Sequence, residues 1–291
     1  MVLRNNPNLL RKPASMAVII AAYNNRHLLE KTLWGYFEQD FKAVPVELFI
    51  ADDGSSEDIP SLLEQYRPES PWPLRHIHQP DKGFRKCRIL NKAILATEAD
   101  YLVFTDQDCV PRKDFLTSHY KHAAWGCFLS GGFTRLPREI SDTITRDDIR
   151  AGDAHRFSWL QSRGLRWQNF HFPKLIEGKW LANFANLATY TDTEWNGGAS
   201  SCWREDALLV NGFDERMLYG YEDTEFGLRL VHAGIFPKQL RYSIACIHLD
   251  HDRPDEFVRM RKQNIVIMQE TRQSRATKTE FGLQLDHSDD P

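Results

Sequence analysis

Short apolar runs alternate with segments of helical periodicity four times before residue 110. The first run, MAVIIAA at residues 16–22, is apolar throughout, which is typical of a strand buried on both faces of a parallel sheet. Residues 26–37 follow with their apolar side chains at helical spacing. Further strands are predicted at residues 46–51, 74–78 and from residue 101. The alternation predicts an α/β chain with right-handed crossovers, in which helices cover both faces of a doubly wound, mostly parallel central sheet.

The charge balance and the cysteines argue against two classes of protein. Lys and Arg number 37 against 40 Asp and Glu, so the formal net charge of −3 lacks the basic footprint of a nucleic-acid-binding protein. The five cysteines are an odd number without a CxxC pair, which argues against a disulfide framework and favours reduced thiols in the cytoplasm. No apolar stretch of signal-peptide length begins the chain, and no run of about 18 apolar residues occurs. We therefore expect neither a secretory leader nor a membrane-spanning helix.

The second half of the chain is less periodic. Residues 134–187 are rich in Arg, Trp, Phe and His, which predicts a variable, partly helical insertion lying over the crevice at the sheet edge. Its aromatic and basic side chains could stack sugars, hold a lipid-linked acceptor, rest on an anionic membrane surface, or pack as a cap. A helix is predicted at residues 224–232, ended by Gly234, and a terminal helix begins near Pro254. The polar tail after Ser274 is expected to be disordered.

Acidic side chains follow two of the predicted strands. Asp52 and Asp53 end the second strand, and Asp106 and Asp108 end the strand YLVFTD. Because the carboxyl ends of parallel strands meet at one edge of the sheet, these carboxylates should lie close together. Turn formation and helix capping are the alternative for each pair. As a site, the carboxylates would suit Mg²⁺ or Mn²⁺ with a nucleotide diphosphate completing the coordination.

Six segments in order resemble glycosyltransferase family 2 with the GT-A fold, a Rossmann-like arrangement. They are AVIIAAYNNRHLLEKTL, FIADDGSSEDI, DKGFRKCRILNKAI, YLVFTDQDCVP, WNGGASSCWRED and GFDERMLYGYEDTEFGLRL. Within the family, the sequence is similar to bacterial chondroitin- and hyaluronan-polymerising transferase domains and to galactosyltransferase-like C-terminal modules. The resemblance implies a GT-A domain at residues 16–252, between an N-terminal extension (1–15) and a C-terminal helix with a polar tail (253–291). It divides the domain into a nucleotide-binding half (16–133), the insertion, and an acceptor half (188–252).

The resemblance implies a nucleotide-sugar site at the edge of the sheet. Tyr23 would stack near uracil, Asp53 would hydrogen-bond the uracil ring, and cations of the GFRKCR segment would lie near the phosphates. Ordinary turn roles are the alternative, and Lys86 in particular could be part of a solvated basic turn. The donor-binding residues implied are Ala22, Tyr23, Asp52, Asp53, Lys82, Arg85, Arg88, Asp106 and Gln107.

The resemblance also implies a divalent cation, Mn²⁺ or Mg²⁺. Asp108 would be a direct ligand, and Asp106 would face the ribose or the metal. A later histidine would complete the coordination, and His248 is preferred to His251 because it directly follows an apolar run. A histidine at a strand end can equally have a structural role.

Catalysis is implied to depend on the Glu222-Asp223 pair. In an inverting transfer, Asp223 would be the general base that takes the proton of the acceptor hydroxyl, and Glu222 would contact acceptor or donor hydroxyls. Capping of the following helix is the alternative. Trp195, Gly197 and Gly198 resemble a loop that closes over the donor sugar and offers an aromatic face to the acceptor ring, unless Trp195 is simply packed in the core.

The function implied is metal-dependent transfer of a hexosyl or N-acetylhexosaminyl group from a nucleotide sugar to a hydroxyl of a glycan or lipid-linked acceptor, and the resemblance favours a UDP-sugar as the donor. Cell-surface polysaccharide or lipopolysaccharide synthesis would use such a product. The location expected is cytoplasmic, with peripheral contact at the inner face of the membrane, and the oligomeric state is open. Two alternatives stand beside it: a nucleotidyltransferase that makes sugar nucleotides, and an inactive sugar-binding module.

Overall fold

The computed structural model describes residues 11–166, 172–175, 178–189, 194–252 and 257–283. The strands are β1 (Met16–Ala22), β2 (Val46–Asp52), β3 (Leu74–His78), β4 (Tyr101–Asp106), β5 (Cys109–Pro111), β6 (Cys127–Ser130), β7 (Gly132–Arg135), β8 (Ser200–Trp203), β9 (Phe236–Gln239) and β10 (Ala245–His248). The helices are α1 (Arg26–Phe37), α2 (Ile59–Tyr66), α3 (Lys86–Ala96), α4 (Phe115–His122), α5 (Arg138–Thr143), α6 (Arg146–Ala151), α7 (Phe157–Ser162), α8 (Lys179–Ala188), α9 (Arg204–Leu209), α10 (Glu222–His232) and α11 (Phe257–Ser274).

The central sheet of the described residues has seven strands in the order β3-β2-β1-β4-β8-β6-β9. Strands β1 to β4 are parallel, whereas β8 runs antiparallel to both of its neighbours. All seven residues of β1 are buried, as the apolar run predicts for a strand covered on both faces. The α/β prediction with a mostly parallel sheet is therefore confirmed.

The register of the sheet brings the predicted acidic residues to one edge. Ala22 of β1 pairs with Asp52 of β2, and Ala21 pairs with Asp106 of β4. Both acidic strand ends consequently flank the loop that follows β1, at the carboxyl edge of the parallel strands.

A second sheet, of three strands, places a histidine beside the DQD segment. Strand β10 lies between β5 and β7, and its His248 pairs with Cys109 of β5. The backbone N–H of Leu249 donates to the carbonyl oxygen of Asp108 at 2.8 Å. A residue 140 positions later in the chain is thereby fixed next to Asp108.

Two apolar clusters cover the two faces of the central sheet. One includes Leu33 and Tyr36 of α1, and the other includes Ile89 of α3 and Phe226 of α10. All five cysteines are free and buried, in agreement with the expected absence of a disulfide framework.

The described part of the insertion does not cover the crevice. Its apolar side chains, among them Ile140, Ile149 and Leu160, form a third cluster with Leu28 of α1 and Ile247 of β10. Apart from Arg135, no described residue of 134–187 lines the main cavity. The predicted position was wrong because these side chains bury against α1 and the small sheet. Trp167 and Phe170 lie outside the described residues.

Helix α8 differs from the rest of the insertion because its apolar side chains face solvent. Trp180 is 79% exposed and Leu187 is 87% exposed, and Leu181 and Phe184 are exposed as well. The opposite face of the helix is held by hydrogen bonds between Asn186 and residues 242–243. No described helix is long and apolar enough to cross a bilayer.

The C-terminal segment also differs from expectation. Residues 275–283 are docked on the loop that follows α9: Asn211 Nδ2 donates to the Thr279 carbonyl at 2.9 Å, and the Glu215 N–H donates to the Phe281 carbonyl at 2.7 Å. The expectation of disorder is wrong for residues 275–283, because polar composition does not show that a segment can pair its backbone with a neighbouring loop. Pro254, expected near the start of α11, and residues 284–291 lie outside the described residues.

Candidate active site

A cavity of about 490 Å³ opens at the carboxyl edge of the central sheet. It is lined by loops that follow β1, β2 and β4, by the starts of α3 and α10, and by β7 and the segment after β10. The residues predicted from sequence that line it are Ala22, Tyr23, Asp53, Asp106, Gln107, Asp108, Gly197, Gly198, Glu222, Asp223 and His248. These residues span more than 220 positions of the chain, so only the fold brings them together.

The two aspartates after β2 have different positions. Asp53 lines the cavity, where its carboxylate accepts the backbone N–H of Arg85 at 2.7 Å and Gln79 Nε2 at 2.6 Å. Burial raises the pKa of Asp53 to about 6. Asp52 does not line the cavity: its carboxylate accepts hydrogen bonds from Ser55 and lies 3.0 Å from His76 Nε2, which is the turn role. Asp53 alone is therefore available to a ligand.

The loop after β1 is braced by the DQD segment. Gln107 accepts the backbone N–H of Tyr23 at 3.1 Å and donates to the Tyr23 carbonyl at 2.9 Å. The Tyr23 ring is exposed at the cavity mouth, and its hydroxyl donates to Asp81 at 3.1 Å. Gln107 thus fixes the loop that presents the ring of Tyr23.

A candidate metal centre lies beside β5 and β10. Asp108 Oδ2 is 2.8 Å from His251 Nε2 and 3.3 Å from His248 Nε2, and these three residues could offer three ligand atoms within 4.8 Å of one another. Although burial opposes ionisation, the hydrogen bond from His251 and the charges of both histidines lower the pKa of Asp108. His251, which sequence analysis placed second, is as close to Asp108 as His248 is.

The residues present fit a divalent cation. One carboxylate with two imidazoles suits Mn²⁺ better than Mg²⁺, which prefers oxygen ligands. Asp106 and Cys109 form a second candidate group with Asp108.

Lys86, for which a solvated basic turn stood as the alternative to a place near the phosphates, lies among the acidic residues of the cavity. Its Nζ is 2.6 Å from Asp106 Oδ1 and 3.8 Å from Glu222 Oε1, and its side chain is 21% exposed. Burial alone would lower the pKa of Lys86, but the charges of Asp106 and Glu222 outweigh burial and raise it above the ordinary value. Lys86 is the first residue of α3 and so starts at the same sheet edge as the strand ends. This position at the start of a helix is the sequence signal that could have placed Lys86 in the site.

Glu222 and Asp223 are the first two residues of α10 and line the same cavity as Asp53. Asp223 accepts the backbone N–H of Gly197 at 3.2 Å and that of Thr224 at 2.7 Å. Burial and the neighbouring charge of Asp223 raise the pKa of Glu222 to about 7, and burial raises that of Asp223. A carboxylate whose pKa is raised toward neutrality is suited to accept a proton.

Besides Asp52, four further predicted site residues do not line the main cavity. Arg85 donates from its guanidinium to the Pro80 carbonyl, and Arg88 lies 3.8 Å from Glu215. Lys82 is exposed on the turn before α3. Trp195 is only 2% exposed and packs edge-on against Phe104 at 5.5 Å, so its ring cannot offer a face to an acceptor. The predictions for these residues failed for one physical reason: sequence does not show towards which side of a loop a long side chain turns.

The fold and this cavity define an α/β domain with acidic residues, a candidate cation site and a basic residue at one sheet edge. Residues 17–189 match the family described as Glycosyl transferase family 2, and residues 184–252 match the family described as N-terminal domain of galactosyltransferase. Because the first match covers more than half of the 291 residues, the chain belongs to glycosyltransferase family 2.

Relatives and solved structures agree with this assignment. The chain is 24% identical to Escherichia coli chondroitin synthase, over 87% of this chain and 37% of that protein, and 27% identical to Pasteurella multocida hyaluronan synthase, over 77% and 24%. It therefore spans well under half of the length of these two synthases. Among solved structures, a Pyrobaculum calidifontis mannosyltransferase in complex with GDP-Man and Mn²⁺ has a TM-score of 0.56 at 17% identity, covering 93% of this chain and 66% of that one. The S. aureus TarS 1–349 complex with UDP-GlcNAc also has a TM-score of 0.56, at 14% identity, covering 87% and 66%. These likenesses establish the GT-A fold.

Proposed function

We propose that the chain transfers a hexosyl or N-acetylhexosaminyl group from a nucleotide sugar, with UDP-sugars as preferred donors, to a hydroxyl of a glycan or lipid-linked glycan. The observation that carries the proposal is the convergence of Asp53, Asp108 and Asp223 on one cavity. The mannosyltransferase and TarS structures, with their GDP-Man and UDP-GlcNAc complexes, support a nucleotide-sugar donor. The similarity to chondroitin and hyaluronan synthases supports a role in polysaccharide synthesis.

The base of the donor would bind at the β1–β2 side of the cavity. Asp53 is buried and held in place by Gln79 and the Arg85 backbone, so it can accept a base N–H with little loss of side-chain freedom. Tyr23 is exposed next to it and would stack on the ring.

Asp108, His248 and His251 would hold Mn²⁺. When bound, the cation would neutralise charge that develops on the departing diphosphate. Lys86 would fix the carboxylate of Asp106 at the same end of the cavity.

Asp223 would act as the general base. In a single displacement, the acceptor hydroxyl gives its proton to the Asp223 carboxylate while its oxygen forms a bond to the anomeric carbon. The bond from that carbon to the phosphate oxygen breaks, and the nucleotide diphosphate leaves with the electron pair. Because attack and departure are on opposite faces, the anomeric configuration inverts. Backbone donors from Gly197 and Thr224 fix the orientation of the base.

Peripheral contact with an anionic membrane is proposed for α8. The exposed Trp180 and Phe184 rings are stacked 6.1 Å apart on a helix that contains no acidic residue. Basic side chains lie near it: Arg135 and Lys174 both lie over the ring of Phe133, and Tyr242, the residue after Arg241, bonds to Asn186 of α8. An apolar face beside basic side chains suits an anionic lipid surface.

The proposed activity is tested by incubating the protein with Mn²⁺ and a panel of UDP-sugars and GDP-mannose, and measuring release of the nucleoside diphosphate. We expect release with at least one UDP-sugar and a decrease of about 10²-fold or more in the Asp223→Asn variant. Pyrophosphate formed from a nucleoside triphosphate and a sugar phosphate would indicate a nucleotidyltransferase instead. Nucleotide-sugar binding without release would indicate an inactive module.

A further inference from the structure

Three aromatic side chains from separate parts of the chain line one wall of the cavity. Phe84 precedes α3, Tyr219 precedes α10, and Phe257 begins α11. The rings of Tyr219 and Phe257 are stacked 3.9 Å apart at 14°, and Phe84 meets them edge-on at 5.9 and 6.0 Å. All three side chains are partly exposed, so the cluster is not part of the closed core.

We propose that Phe84, Tyr219 and Phe257 form the acceptor subsite, in which a pyranose ring of the acceptor glycan packs its C–H face on the aromatic wall. The inference rests on the proposed function. Binding pockets commonly combine an apolar aromatic wall with a few polar groups that fix orientation. A sugar ring matches such a wall, because its C–H groups need apolar contact while its hydroxyl groups extend to polar neighbours.

The position of the wall favours the acceptor over the donor. Tyr219 lies four residues before Asp223 and Phe84 lies two residues before Lys86, and all four residues line the same cavity. A Cβ added at Gly197 would lie 3.4 Å from Asp223 Oδ2 and 3.8 Å from Lys86 Nζ, so the residues that follow the wall in sequence meet at the proposed base. The acceptor hydroxyl must reach Asp223, whereas the base of the donor would lie beside Asp53 and Tyr23. A ring on the aromatic wall therefore has the proposed base close to its hydroxyl groups.

Helix α11 holds this wall in place. The buried Asn264 accepts the backbone N–H of Leu218 at 3.0 Å and donates to the carbonyls of Leu218 and Gly220 at 2.8 and 2.6 Å. Gly220 has φ +88°, and an added Cβ would lie 2.5 Å from the side chain of Arg261. The loop that presents Tyr219 is thus clamped by α11, which also supplies Phe257.

The helix lies beyond both family matches, which together cover residues 17–252. Phe257 is therefore a contribution to the cavity that the family assignment does not describe. We infer that α11 sets the acceptor preference of this chain, while the matched part provides donor binding and the base.

The subsite is tested by comparing Phe257→Ala and Phe257→Tyr with Val258→Ala, a matched control at the next, 66% exposed position of α11. The donor reaction is followed as nucleotide release without acceptor. Transfer is followed with methyl glycosides of common hexoses and N-acetylhexosamines, using the glycoside that the unsubstituted protein accepts best. We expect Phe257→Ala to raise the acceptor KM about 3- to 10-fold, with donor KM and acceptor-free release unchanged. Phe257→Tyr and Val258→Ala should keep the original acceptor KM.

An unchanged acceptor KM in Phe257→Ala would overturn the subsite, as would a raised donor KM, which would assign the wall to the donor sugar. If no glycoside is an acceptor, saturation-transfer NMR with the same glycosides replaces the kinetic measurement. Binding that is lost in Phe257→Ala supports the subsite, and absence of binding to the unsubstituted protein contradicts it. If the unsubstituted protein releases no nucleotide from any donor, that result would instead contradict the proposed function.

Discussion

Lys86 neutralises a group of carboxylates that would otherwise repel one another. Its Nζ contacts Asp106 and approaches Glu222, and the charge of Asp223 also acts on it. We expect Lys86→Met to lower the free energy of unfolding by up to about 3 kcal/mol, because removing one partner leaves buried charge uncompensated. The variant should also lower kcat. Chemical denaturation and steady-state kinetics measure the two effects.

The matched control is Lys82→Met, which removes the same charge from the exposed turn before α3. It should leave stability and kcat close to those of the unsubstituted protein. A larger effect at Lys82 than at Lys86 would contradict the placement of Lys86 and restore the sequence-based assignment of Lys82.

The Glu222-Asp223 pair should set the acid limb of the pH profile. A general base must be deprotonated, so activity is lost as pH falls through its pKa. Burial and the charge of Asp223 raise the pKa of Glu222 to about 7, and burial raises that of Asp223. We expect kcat/KM to fall as pH decreases through the raised pKa values of this interacting pair, of which that of Glu222 is about 7.

Two substitutions should move this limb in opposite directions. Glu222→Gln removes a negative charge beside Asp223, which lowers the pKa of Asp223 and moves the limb to lower pH. Lys86→Met removes a positive charge and moves it to higher pH. Profiles of kcat/KM between about pH 5 and pH 9 measure both shifts, and equal profiles for all three proteins would exclude Asp223 as the base.

The two histidines beside Asp108 should contribute similarly to binding of Mn²⁺. His248→Ala and His251→Ala each remove one imidazole from the candidate centre, and we expect each to weaken Mn²⁺ binding at least about tenfold. His27→Ala, at an exposed position of α1, is the control. Electron paramagnetic resonance of free Mn²⁺ measures the affinity without reference to activity. Unchanged affinity in both variants would exclude this centre.

The residues that could be predicted from sequence are those whose side chains have little choice of direction. Asp53 directly follows β2, and Asp108 lies in the two-residue connection between β4 and β5, so the strand ends fix their position at the sheet edge. Lys86 begins a helix, where a long side chain can turn to solvent or to the cavity, and only the packed structure decides. Trp195 is the opposite case. An indole that comes just before two glycines suits a binding loop, yet its ring fills the core beside Phe104.

At the scale of elements, α8 has one face that is hydrogen-bonded to the rest of the protein and one apolar face that is exposed to solvent. Asn186 bonds to the turn before β10, while Trp180 and Phe184 remain exposed. We expect the double substitution Trp180→Ser and Phe184→Ser to reduce binding to vesicles that contain about 30% phosphatidylserine by about tenfold or more, because two aromatic contacts with the interface are lost. Sedimentation with the vesicles measures the bound fraction.

Val266→Ser, at a 55% exposed position of α11, is the control for loss of an apolar side chain elsewhere on the surface. Binding should be weaker with vesicles of phosphatidylcholine alone, since these lack the anionic charge that the nearby Lys174 and Arg241 would contact. If the double variant binds anionic vesicles as the unsubstituted protein does, α8 is not the contact.

Some elements could be predicted from the sequence pattern, whereas the packing of others could not. Strands β1, β2 and β4 follow from apolar runs, because burial on both faces of a sheet leaves little alternative. The position of α5 to α7 does not, because amphipathic helices of six residues can pack on any apolar face, and here that face belongs to α1 and β10. The docked segment 275–283 was not predictable for a related reason: its Thr279 and Phe281 carbonyls accept hydrogen bonds from the loop after α9, and any sequence has such carbonyls.

At the scale of the whole molecule, the segments that match the two families contribute strands to one central sheet. Strand β8, from the second match, pairs with β4 and β6 of the first, so the loop with Gly197 lies directly beside Asp106. The donor side and the base side of the cavity are consequently fixed by the same strands. We therefore expect donor binding at Asp53 to be retained when the surroundings of Asp223 are altered, provided that the sheet is intact.

The C-terminal segment should support the base side alone. Thr279 Oγ1 donates to the buried Asp214 at 2.7 Å, and Asp214 also binds Arg216 in the loop that leads to Glu222. We expect deletion of residues 275–291 to lower the free energy of unfolding by about 2 kcal/mol or more, because several buried hydrogen bonds and the contact of Leu283 with the core are lost. The deletion should lower kcat and leave the affinity for nucleoside diphosphate unchanged, since Asp53 is held in place by Gln79 and the backbone of Arg85. Deletion of residues 284–291 retains the docked segment and is the matched control. Denaturation, transfer kinetics and UDP titration measure the three effects separately. Equal stability of the two deletion variants would show that residues 275–283 do not contribute to the free energy of unfolding. Equal losses of kcat and of UDP affinity would show that Asp53 and the surroundings of Asp223 are not independent.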